Sequence, residues 1–262
     1  MVKTLISFGP LSIQSMSLFM VLAFLFSGFV FWRKAKEEHY DETEVFDGFL
    51  LAWIIGFIWA RIGFIIFNFY EFGFHIFKWI DLVTNPGLNA LFGIVGSTVY
   101  LYRFAQRKKW DVFEILDFWS MAVTLGLVLI WFGLFLDGSR FGLATSLPWG
   151  VVFPGVFEKH HPVQLYASFL YAGLFAYLAW LEFHYRTFEW YKSRRKSAQT
   201  GFLLSVFLIA HGLISLGLNL VMPAQIVFQG LRLDHLLSLV GILLGVGILL
   251  VRSGRIQDFK RS

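Results

Sequence analysis

The stretch Leu11–Lys36, LSIQSMSLFMVLAFLFSGFVFWRKAK, is a long apolar run that ends in a basic cluster. Its first 22 residues carry no charge, and three basic residues, Arg33, Lys34 and Lys36, follow at once. A bilayer core about 30 Å thick is crossed by about 20 helical residues, so this stretch is long enough to span a membrane. The basic cluster gives the helix a direction, because Lys and Arg collect on the cytoplasmic side.

Six further apolar segments follow, each 16 to 23 residues long. They are Gly48–Tyr70, Leu82–Tyr102, Phe118–Leu136, Pro162–Leu181, Gly201 to about Val221, and Leu236–Val251. Hydrophobic residues make up 57% of the chain and aromatic residues 19%, which exceeds the share usual in soluble domains. The pattern predicts an all-α membrane protein with seven transmembrane helices, in which residues 1–262 form a single polytopic membrane domain.

Basic residues alternate between the two sides of these segments. Sixteen of the 22 Lys and Arg residues lie in alternate gaps or after the last segment. The opposite side carries only Lys3, Lys78, Arg140, Lys159 and Arg232. This asymmetry predicts an amino terminus outside and a carboxyl terminus in the cytoplasm. Because topology and attraction to anionic lipid account for the net charge of +5, we expect no nucleic-acid partner.

The longest interval outside the predicted helices is Asp137–His161, DGSRFGLATSLPWGVVFPGVFEKHH, on the outer face. It is too apolar and too rich in Gly and Pro for an ordinary solvated loop. We therefore expect a re-entrant or surface-packed loop over residues 137–161.

Polar side chains from five of the predicted helices converge on the outer headgroup level. They include Arg61, Asn68, Asp137, Arg140, His160, His161, Gln164, Tyr166, Asn219, Arg232, Asp234 and His235. Arginines at phosphate depth with histidines nearby suit an anionic phospholipid headgroup. The cytoplasmic half looks apolar, which disfavours a transporter, since a transporter needs a polar path. If the protein is an enzyme, its substrate is expected to be a lipid.

Several of these residues have a structural interpretation beside the functional one. Arg61 lies within a span, where an arginine costs roughly 2.5–3.5 kcal/mol, so it must face a partner such as Asp137 or a polar cavity. Arg140 and Arg232 either contact phosphate or snorkel to the interface. His211 either bonds a neighbouring helix or does chemistry. Asp117 is expected to cap the amino terminus of its helix.

Cofactors and metals are not expected. The chain has no cysteine, and its histidines lie on different elements without a metal-binding spacing. Any thiol that takes part in its chemistry must therefore belong to a partner.

Two motifs in the outer region resemble the prolipoprotein diacylglyceryl transferase family. They are GLFLDGSRFGLATSLPWGVVFPG from Gly133 and HHPVQLYA from His160. FGPLSI at Phe8, RIGFIIFN at Arg61, GLNALFGIVG at Gly87 and LDF at Leu116 also resemble family segments. The resemblance covers nearly the whole chain, and the LPWGVVFP and HPVQLY elements are fairly specific.

The resemblance implies transfer of a diacylglyceryl group from phosphatidylglycerol, or another anionic phospholipid, to the cysteine thiol of a prolipoprotein signal peptide. This family works at the outer face of the bacterial plasma membrane. The expected catalytic residues are His161, Arg140 and Asp137, with His160 as an alternative to His161. The expected substrate-binding residues are Arg61, Asn68, Gly138, Gly142, Gln164, Tyr166 and Arg232.

The chain also departs from the family pattern at polar positions. The departures are Met16, Leu91, Trp131, Leu134, Ser139, Ala167 and Ser215, where the family carries Tyr, His, Arg, Asn, Glu, Glu and Arg. A second interpretation therefore stays open, in which the chain is a catalytically inactive relative that binds phospholipid as a membrane scaffold or accessory protein.

Overall fold

Long helices dominate the computed structural model, which describes residues 4–8, 11–82, 84–185, 199–224, 227–228 and 231–252. The helices are α1 Ser15–Glu37, α2 Glu42–Phe67, α3 Phe69–Phe72, α4 Ile76–Ile80, α5 Ala90–Lys108, α6 Val112–Asp137, α7 Val163–Tyr185, α8 Phe202–Val221 and α9 Leu233–Arg252. The strands are β1 Thr4–Phe8, β2 Leu11–Gln14, β3 Val151–Val152, β4 Lys159–His160, β5 Val227–Phe228 and β6 Leu231–Arg232. They pair as three antiparallel hairpins, which the sequence analysis did not predict.

Six helices of the described part of the chain are long and apolar enough to cross a membrane. They are α1, α2, α6, α7, α8 and α9. The prediction of a helical, multi-pass membrane protein is confirmed at this level. Six of the seven predicted segments coincide with these helices, and the third does not.

The third predicted segment, Leu82–Tyr102, is helical only from Ala90 onward. Pro86 and Gly87 interrupt the chain before it, and Gly87 has a φ of 151°. The side chain of Asn89 then caps α5 by accepting the backbone N–H of Phe92 at 3.3 Å. The apolar part of α5 is thereby shortened, and the remaining turns contain the basic residues near Lys108, so α5 falls short of the apolar length of the others.

Acidic caps start two of the long helices. Asp41 accepts the backbone N–H of Glu44 at 2.8 Å and begins α2. Asp111 accepts the N–H of Phe113 at 2.9 Å and begins α6. The prediction that Asp117 caps this helix is wrong, because α6 starts more than one turn earlier and Asp117 is a fully buried residue inside it. The predicted start of this helix was too late, because its first turn includes a charged residue and therefore lies outside the apolar run.

The chain divides into two compact units, one of Met1–Phe29 with Ser120–Ser262 and one of Val30–Trp119. In the second unit, α2 and α5 approach closely through small residues. A Cβ added to Gly56 would lie 3.1 Å from the carbonyl oxygen of Gly93. Close backbone approach through glycine is a common way to pack helices in a membrane, where apolar side chains gain little by meeting each other.

In the first unit, α8 and α9 pack in the same way. A Cβ added to Gly212 would lie 2.7 Å from the Ser238 carbonyl oxygen, and one added to Gly245 would lie 2.8 Å from that of Ser205. This packing fixes α8 against α9 and leaves its other side to face α7.

We predict that Gly212→Ala destabilises the first unit, because the added methyl group overlaps Ile242 and Ser238. Overpacking of this kind costs about 1–3 kcal/mol. The thermal unfolding midpoint of the purified protein in detergent should fall. Gly247→Ala is the matched control, since its Cβ meets nothing within 4 Å. Equal midpoints for the two variants would contradict the close-packing role of Gly212.

Candidate functional site

The carboxyl end of α6 turns sharply at Gly138, which has a φ of 79°. The Ser139 N–H donates to the Leu134 carbonyl at 3.2 Å, and the Gly138 N–H donates to the Phe135 carbonyl, also at 3.2 Å. This pairing is a Schellman motif, in which glycine is favoured because the backbone is left-handed. The turn explains Gly138 without a ligand, and its expected substrate contact stays a prediction. Asp137 is the last residue of the helix.

The loop after this turn is fastened to the starts and ends of the neighbouring helices. The Gly142 N–H donates to the His161 carbonyl at 2.9 Å, and the His161 N–H donates to the Leu143 carbonyl at 3.0 Å. The Leu143 N–H donates to the Val221 carbonyl at the end of α8, at 2.8 Å. A Cβ on Gly142 would lie 2.6 Å from that same Val221 oxygen, so only glycine fits there. Gly142 is thus explained by packing.

Two aromatic rings hold the loop from inside. Phe153, which is 1% exposed, stacks on Phe141 with ring centres 4.8 Å apart. The strands β3 and β4 pair beside them, and Val151 lies opposite His160. The result is an ordered, packed segment between α6 and α7.

The two adjacent histidines have different environments. His160 Nδ1 lies 2.8 Å from the Gly142 carbonyl, so it donates a proton there, and its ring packs on Phe141. His161 instead borders a cavity, with its Nδ1 3.5 Å from the Tyr166 hydroxyl oxygen. His160 serves the loop, which leaves His161 as the histidine with a ring available to a ligand.

The Tyr166 hydroxyl is oriented by Trp149. The indole Nε1–H of Trp149 donates to the Tyr166 oxygen at 2.8 Å. An indole N–H is only a donor, so it occupies an acceptor site of the hydroxyl and leaves the hydroxyl proton free. The same oxygen keeps a second acceptor site for the Nδ1–H of His161, and this arrangement leaves Nε2 of the histidine free to accept a proton.

An open cavity of about 760 Å³ lies between α7, α8 and the loop. Its lining residues are Leu147, Trp149, His161, Tyr166, Leu170, Leu213, Ile214, Gly217, Leu218 and Val221. Most of this lining is apolar, and the polar side chains are gathered at one end. Among the residues predicted from sequence, His161 and Tyr166 line the cavity, whereas Asp137, Gly138, Arg140, Gly142 and Gln164 do not.

Gln164 is the second residue of α7 and is fully buried. Its Nε2 donates to the Ser139 carbonyl at 2.7 Å, which ties α7 to the turn that precedes Arg140. Its Oε1 is buried and accepts no hydrogen bond from the described residues. Gln164 therefore holds α7 to this turn through its amide nitrogen, and its amide oxygen accepts no hydrogen bond from the described residues.

Arg140 holds an uncommon backbone conformation, with a φ of 59°. A left-handed conformation costs an ordinary residue roughly 1–2 kcal/mol, and such strain collects at functional sites. The surrounding protein lowers the pKa of Arg140 and the nearby Asp234 carboxylate raises it. The residue is nevertheless exposed. The surrounding protein has the larger influence, so the pKa of Arg140 lies below its ordinary value, and the side chain keeps its charge at neutral pH.

Arg61, which is 6% exposed, is held by backbone carbonyls. Its guanidinium donates to the Trp79, Lys78 and Gly87 oxygens at 2.7, 2.8 and 3.0 Å, and to the Asp81 oxygen at 3.1 Å. These carbonyls belong to α4 and to the connection leading to α5. The geometry is that of a clamp on this connection, and the expected substrate contact of Arg61 stays a prediction.

Two other residues that were predicted to bind substrate, Asn68 and Arg232, do not line the cavity. Asn68 ends α2, where its Nδ2 donates to the Phe64 carbonyl at 2.8 Å, so it serves as a helix cap. Arg232 is the second residue of β6, and its side chain lies outside the described residues. In the described part of the chain, no group of three or more His, Asp or Glu side chains is placed to hold a metal.

Sequence reasoning missed the apolar wall of the cavity and the role of Trp149. Gly217 and Leu213 have no polar side chain, so the distribution of polar residues along the chain does not indicate them. His211 does bond a neighbouring helix, one of its two predicted roles. Its Nδ1 lies 2.8 Å from the Tyr171 hydroxyl on α7.

Comparison with known proteins identifies relatives along nearly the whole chain. The family model described as "Prolipoprotein diacylglyceryl transferase" matches residues 3–251. A protein of Ehrlichia canis (strain Jake) is 27% identical over 262 residues, which cover 95% of each chain. One of Idiomarina loihiensis is 27% identical over 94% of this chain and 90% of its own. One of the Wolbachia of Brugia malayi is 32% identical over 66% of each. All three are named phosphatidylglycerol-prolipoprotein diacylglyceryl transferase.

We predict that Arg61→Met lowers the free energy of unfolding by about 3 kcal/mol, because four part-buried carbonyls lose their donor at once. Protease cleavage in the 73–89 connection should become faster, and thermal unfolding in detergent should shift to lower temperature. Arg33→Met is the control, since this exposed arginine forms an ion pair with Glu37 in the next turn and such pairs contribute little. Normal stability of Arg61→Met would contradict the clamp and favour a ligand role.

Proposed function

Because the chain belongs to the prolipoprotein diacylglyceryl transferase family, we propose that it transfers a diacylglyceryl group from phosphatidylglycerol to the cysteine thiol of a prolipoprotein. The names of its relatives support this choice of donor and acceptor. One observation carries the proposal to this chain, which is that His161 and Tyr166 stand at the polar end of an open apolar cavity. An amphiphilic donor such as a phospholipid needs both a polar end for its headgroup and an apolar wall for its chains.

The reaction forms a bond between sulfur and a glyceryl carbon and breaks the bond from that carbon to a phosphate oxygen. Glycerol phosphate leaves with the bonding electrons, and the thiol loses its proton. We assign His161 as the base that takes this proton, with Tyr166 and Trp149 holding its ring. General-base assistance of this kind contributes typically 10²–10⁴-fold.

Arg140 is the proposed cation for the departing phosphate. Charge that develops on a leaving group is best stabilised by a positioned donor, and a guanidinium offers several N–H groups in a fixed plane. Gln164 and Asp137 flank the turn that presents Arg140, and we assign Asp137 to orienting this turn. Arg232, in β6, is proposed as a second phosphate contact.

The remaining expected contacts are proposed as secondary to these. Arg61, Asn68, Gly138 and Gly142 are each explained by a structural role, so any substrate contact of theirs adds to that role. The comparisons give no support to the alternative of an inactive lipid-binding scaffold. Transfer is therefore the function proposed.

The proposed topology has seven spans, with α5 as the third, the amino terminus outside and the carboxyl terminus in the cytoplasm of a bacterial plasma membrane. The distribution of basic residues supports this orientation, because 16 of 22 lie in alternate gaps. The 137–161 segment then faces the extracytoplasmic side, where prolipoproteins present their cysteine.

Transfer in liposomes tests the reaction. Purified protein is incubated with phosphatidylglycerol and a lipobox peptide, and the peptide mass is followed. We expect His161→Gln and Arg140→Gly each to lower the rate at least about 10²-fold. Glycine adopts the left-handed conformation of Arg140 freely, so this variant should remain folded.

His184→Gln is the control for these substitutions. His184 lies near the opposite end of α7, and its Nδ1 hydrogen-bonds to the Trp180 carbonyl at 2.9 Å. Its rate should equal that of the parent protein. Full activity of His161→Gln would contradict the assignment of His161 as the base. Absence of transfer by the parent protein would contradict the proposed reaction.

Single cysteines test the topology, because the chain contains none of its own. Glu158→Cys and Lys109→Cys place a thiol at two exposed positions on opposite sides of the proposed membrane. In intact cells a membrane-impermeant maleimide should label Glu158→Cys and spare Lys109→Cys. The reverse labelling pattern would show that the protein has the opposite orientation in the membrane.

A further inference from the structure

The 69–80 segment, which follows α2 and contains α3 and α4, exposes six large apolar side chains. Phe74, Phe77 and Ile80 are 85%, 91% and 75% exposed, and the others are Phe69, Tyr70 and Ile76. Phe77 and Ile80 lie on one face of α4, because helical residues three apart are neighbours. A contiguous apolar patch of this kind marks a surface that meets a membrane or another protein.

The length of α2 places this segment at the boundary of the hydrocarbon core. The apolar part of α2 begins at Gly48, directly after Asp47, and the helix ends at Phe67. Arg61 is the only charged residue between these ends. About 20 residues of helix span about 30 Å, which is the thickness of the core. The 69–80 segment therefore starts where the core ends.

The segment lies beside the last turns of α2, on which α4 packs. Arg61 precedes the end of α2 by about 9 Å of helix. Its guanidinium nevertheless reaches the carbonyls of Lys78, Trp79 and Asp81 in and after α4. Phe72, which is 4% exposed, fills the space between, with its ring centre 5.0 Å from the guanidinium carbon. The segment is thereby held close to the depth of the core boundary.

Backbone polar groups of the segment are satisfied inside the protein. Arg61 donates to four carbonyls of the segment and of the connection that follows it. The indole Nε1–H of Trp79 donates to the Gly73 carbonyl at 3.0 Å, and the Asp81 carboxylate accepts the Thr84 N–H at 3.0 Å. Water would satisfy such groups without an arginine, whereas lipid would leave them unpaired. The donors of Arg61 are thus placed as a segment in contact with lipid requires.

The exposed side chains fit the interface between headgroups and acyl chains. The apolar patch continues the surface of α2 at Ile62 and Ile66, which are also exposed and face lipid if α2 spans a membrane. The segment also exposes Glu71 and Lys78, whose charges exclude the centre of the bilayer. A lysine stem lies along apolar surface while its ammonium group reaches the headgroups. Aromatic residues are enriched at this depth.

We propose that the 69–80 segment inserts into the membrane interface at the carboxyl end of α2, and that Arg61 makes this insertion possible by donating to the carbonyls of the segment. The partner is a lipid surface, with Phe77 and Ile80 among the acyl chains and Lys78 at the headgroups. In the proposed topology this surface belongs to the outer leaflet. The insertion requires neither the proposed reaction nor its catalytic residues.

Spin labels on single cysteines test the insertion, because the chain contains no cysteine of its own. The full chain is labelled at Phe77→Cys or Lys78→Cys and placed in phosphatidylglycerol–phosphatidylethanolamine liposomes. Collision rates with oxygen, which enters lipid, and with a polar nickel chelate, which stays in water, are then measured. The oxygen-to-nickel ratio at Phe77→Cys should exceed that at Lys78→Cys at least about tenfold, since hydrocarbon excludes the chelate.

Ile58→Cys provides the lipid reference, since this exposed residue lies near the middle of the apolar part of α2. Its ratio should resemble that at Phe77→Cys. Equal ratios at Phe77→Cys and Lys78→Cys would overturn the insertion. A label at Phe77→Cys that neither reagent reaches would overturn it in favour of a protein partner, and spin–spin broadening there would identify that partner as a second copy of the chain.

Arg61→Met tests the second part of the proposal. In this background the ratio at Phe77→Cys should fall about tenfold, because carbonyls without a donor move the segment toward water. Arg33→Met is the control, and it should leave the ratio unchanged, since Arg33 pairs with Glu37 on α1. An unchanged ratio in Arg61→Met would overturn the role assigned to Arg61.

Discussion

The fastening of the 138–161 loop to the helices beneath it is the constraint on which the candidate site depends. Three backbone hydrogen bonds around Gly142 and Leu143 join the loop to the start of α7 and the end of α8. Gly142 has to be glycine for the chains to approach so closely. Without this contact, Trp149 would not meet Tyr166, and His161 would have no defined neighbour. The site is therefore assembled by backbone geometry before any side chain acts.

The site combines an apolar wall with polar groups at one end only. In such surroundings a hydrogen bond is stronger than in water, and an unsatisfied polar group costs more. Trp149 and Tyr166 satisfy one another, and His160 is used by the Gly142 carbonyl. His161 is what remains for a reactant. Arg61, by contrast, is surrounded by the backbone carbonyls to which it donates.

Charge and hydropathy were sufficient to predict the long helices, because membrane insertion depends on those two properties. The sequence failed where local geometry decided the outcome. Pro86 and Gly87 shorten the third helix. The first turn of α6 was not predicted, so the helix begins before Asp117. The family motif correctly indicated the family, yet the motif residue Arg61 serves a connection between helices. A sequence motif does not distinguish an arginine that contacts substrate from one that donates to backbone carbonyls.

Arg61 also has an evolutionary consequence. Its guanidinium serves carbonyls that are 17 to 26 residues away in the chain, with donors that point in several fixed directions. Lysine keeps the charge but not this fork, so an exchange that preserves charge does not preserve the contacts. A relative that loses the arginine must rebuild the whole 73–89 connection with it. Position 61 and that connection should therefore covary across the family, and an insertion in the connection should appear only where the arginine is gone.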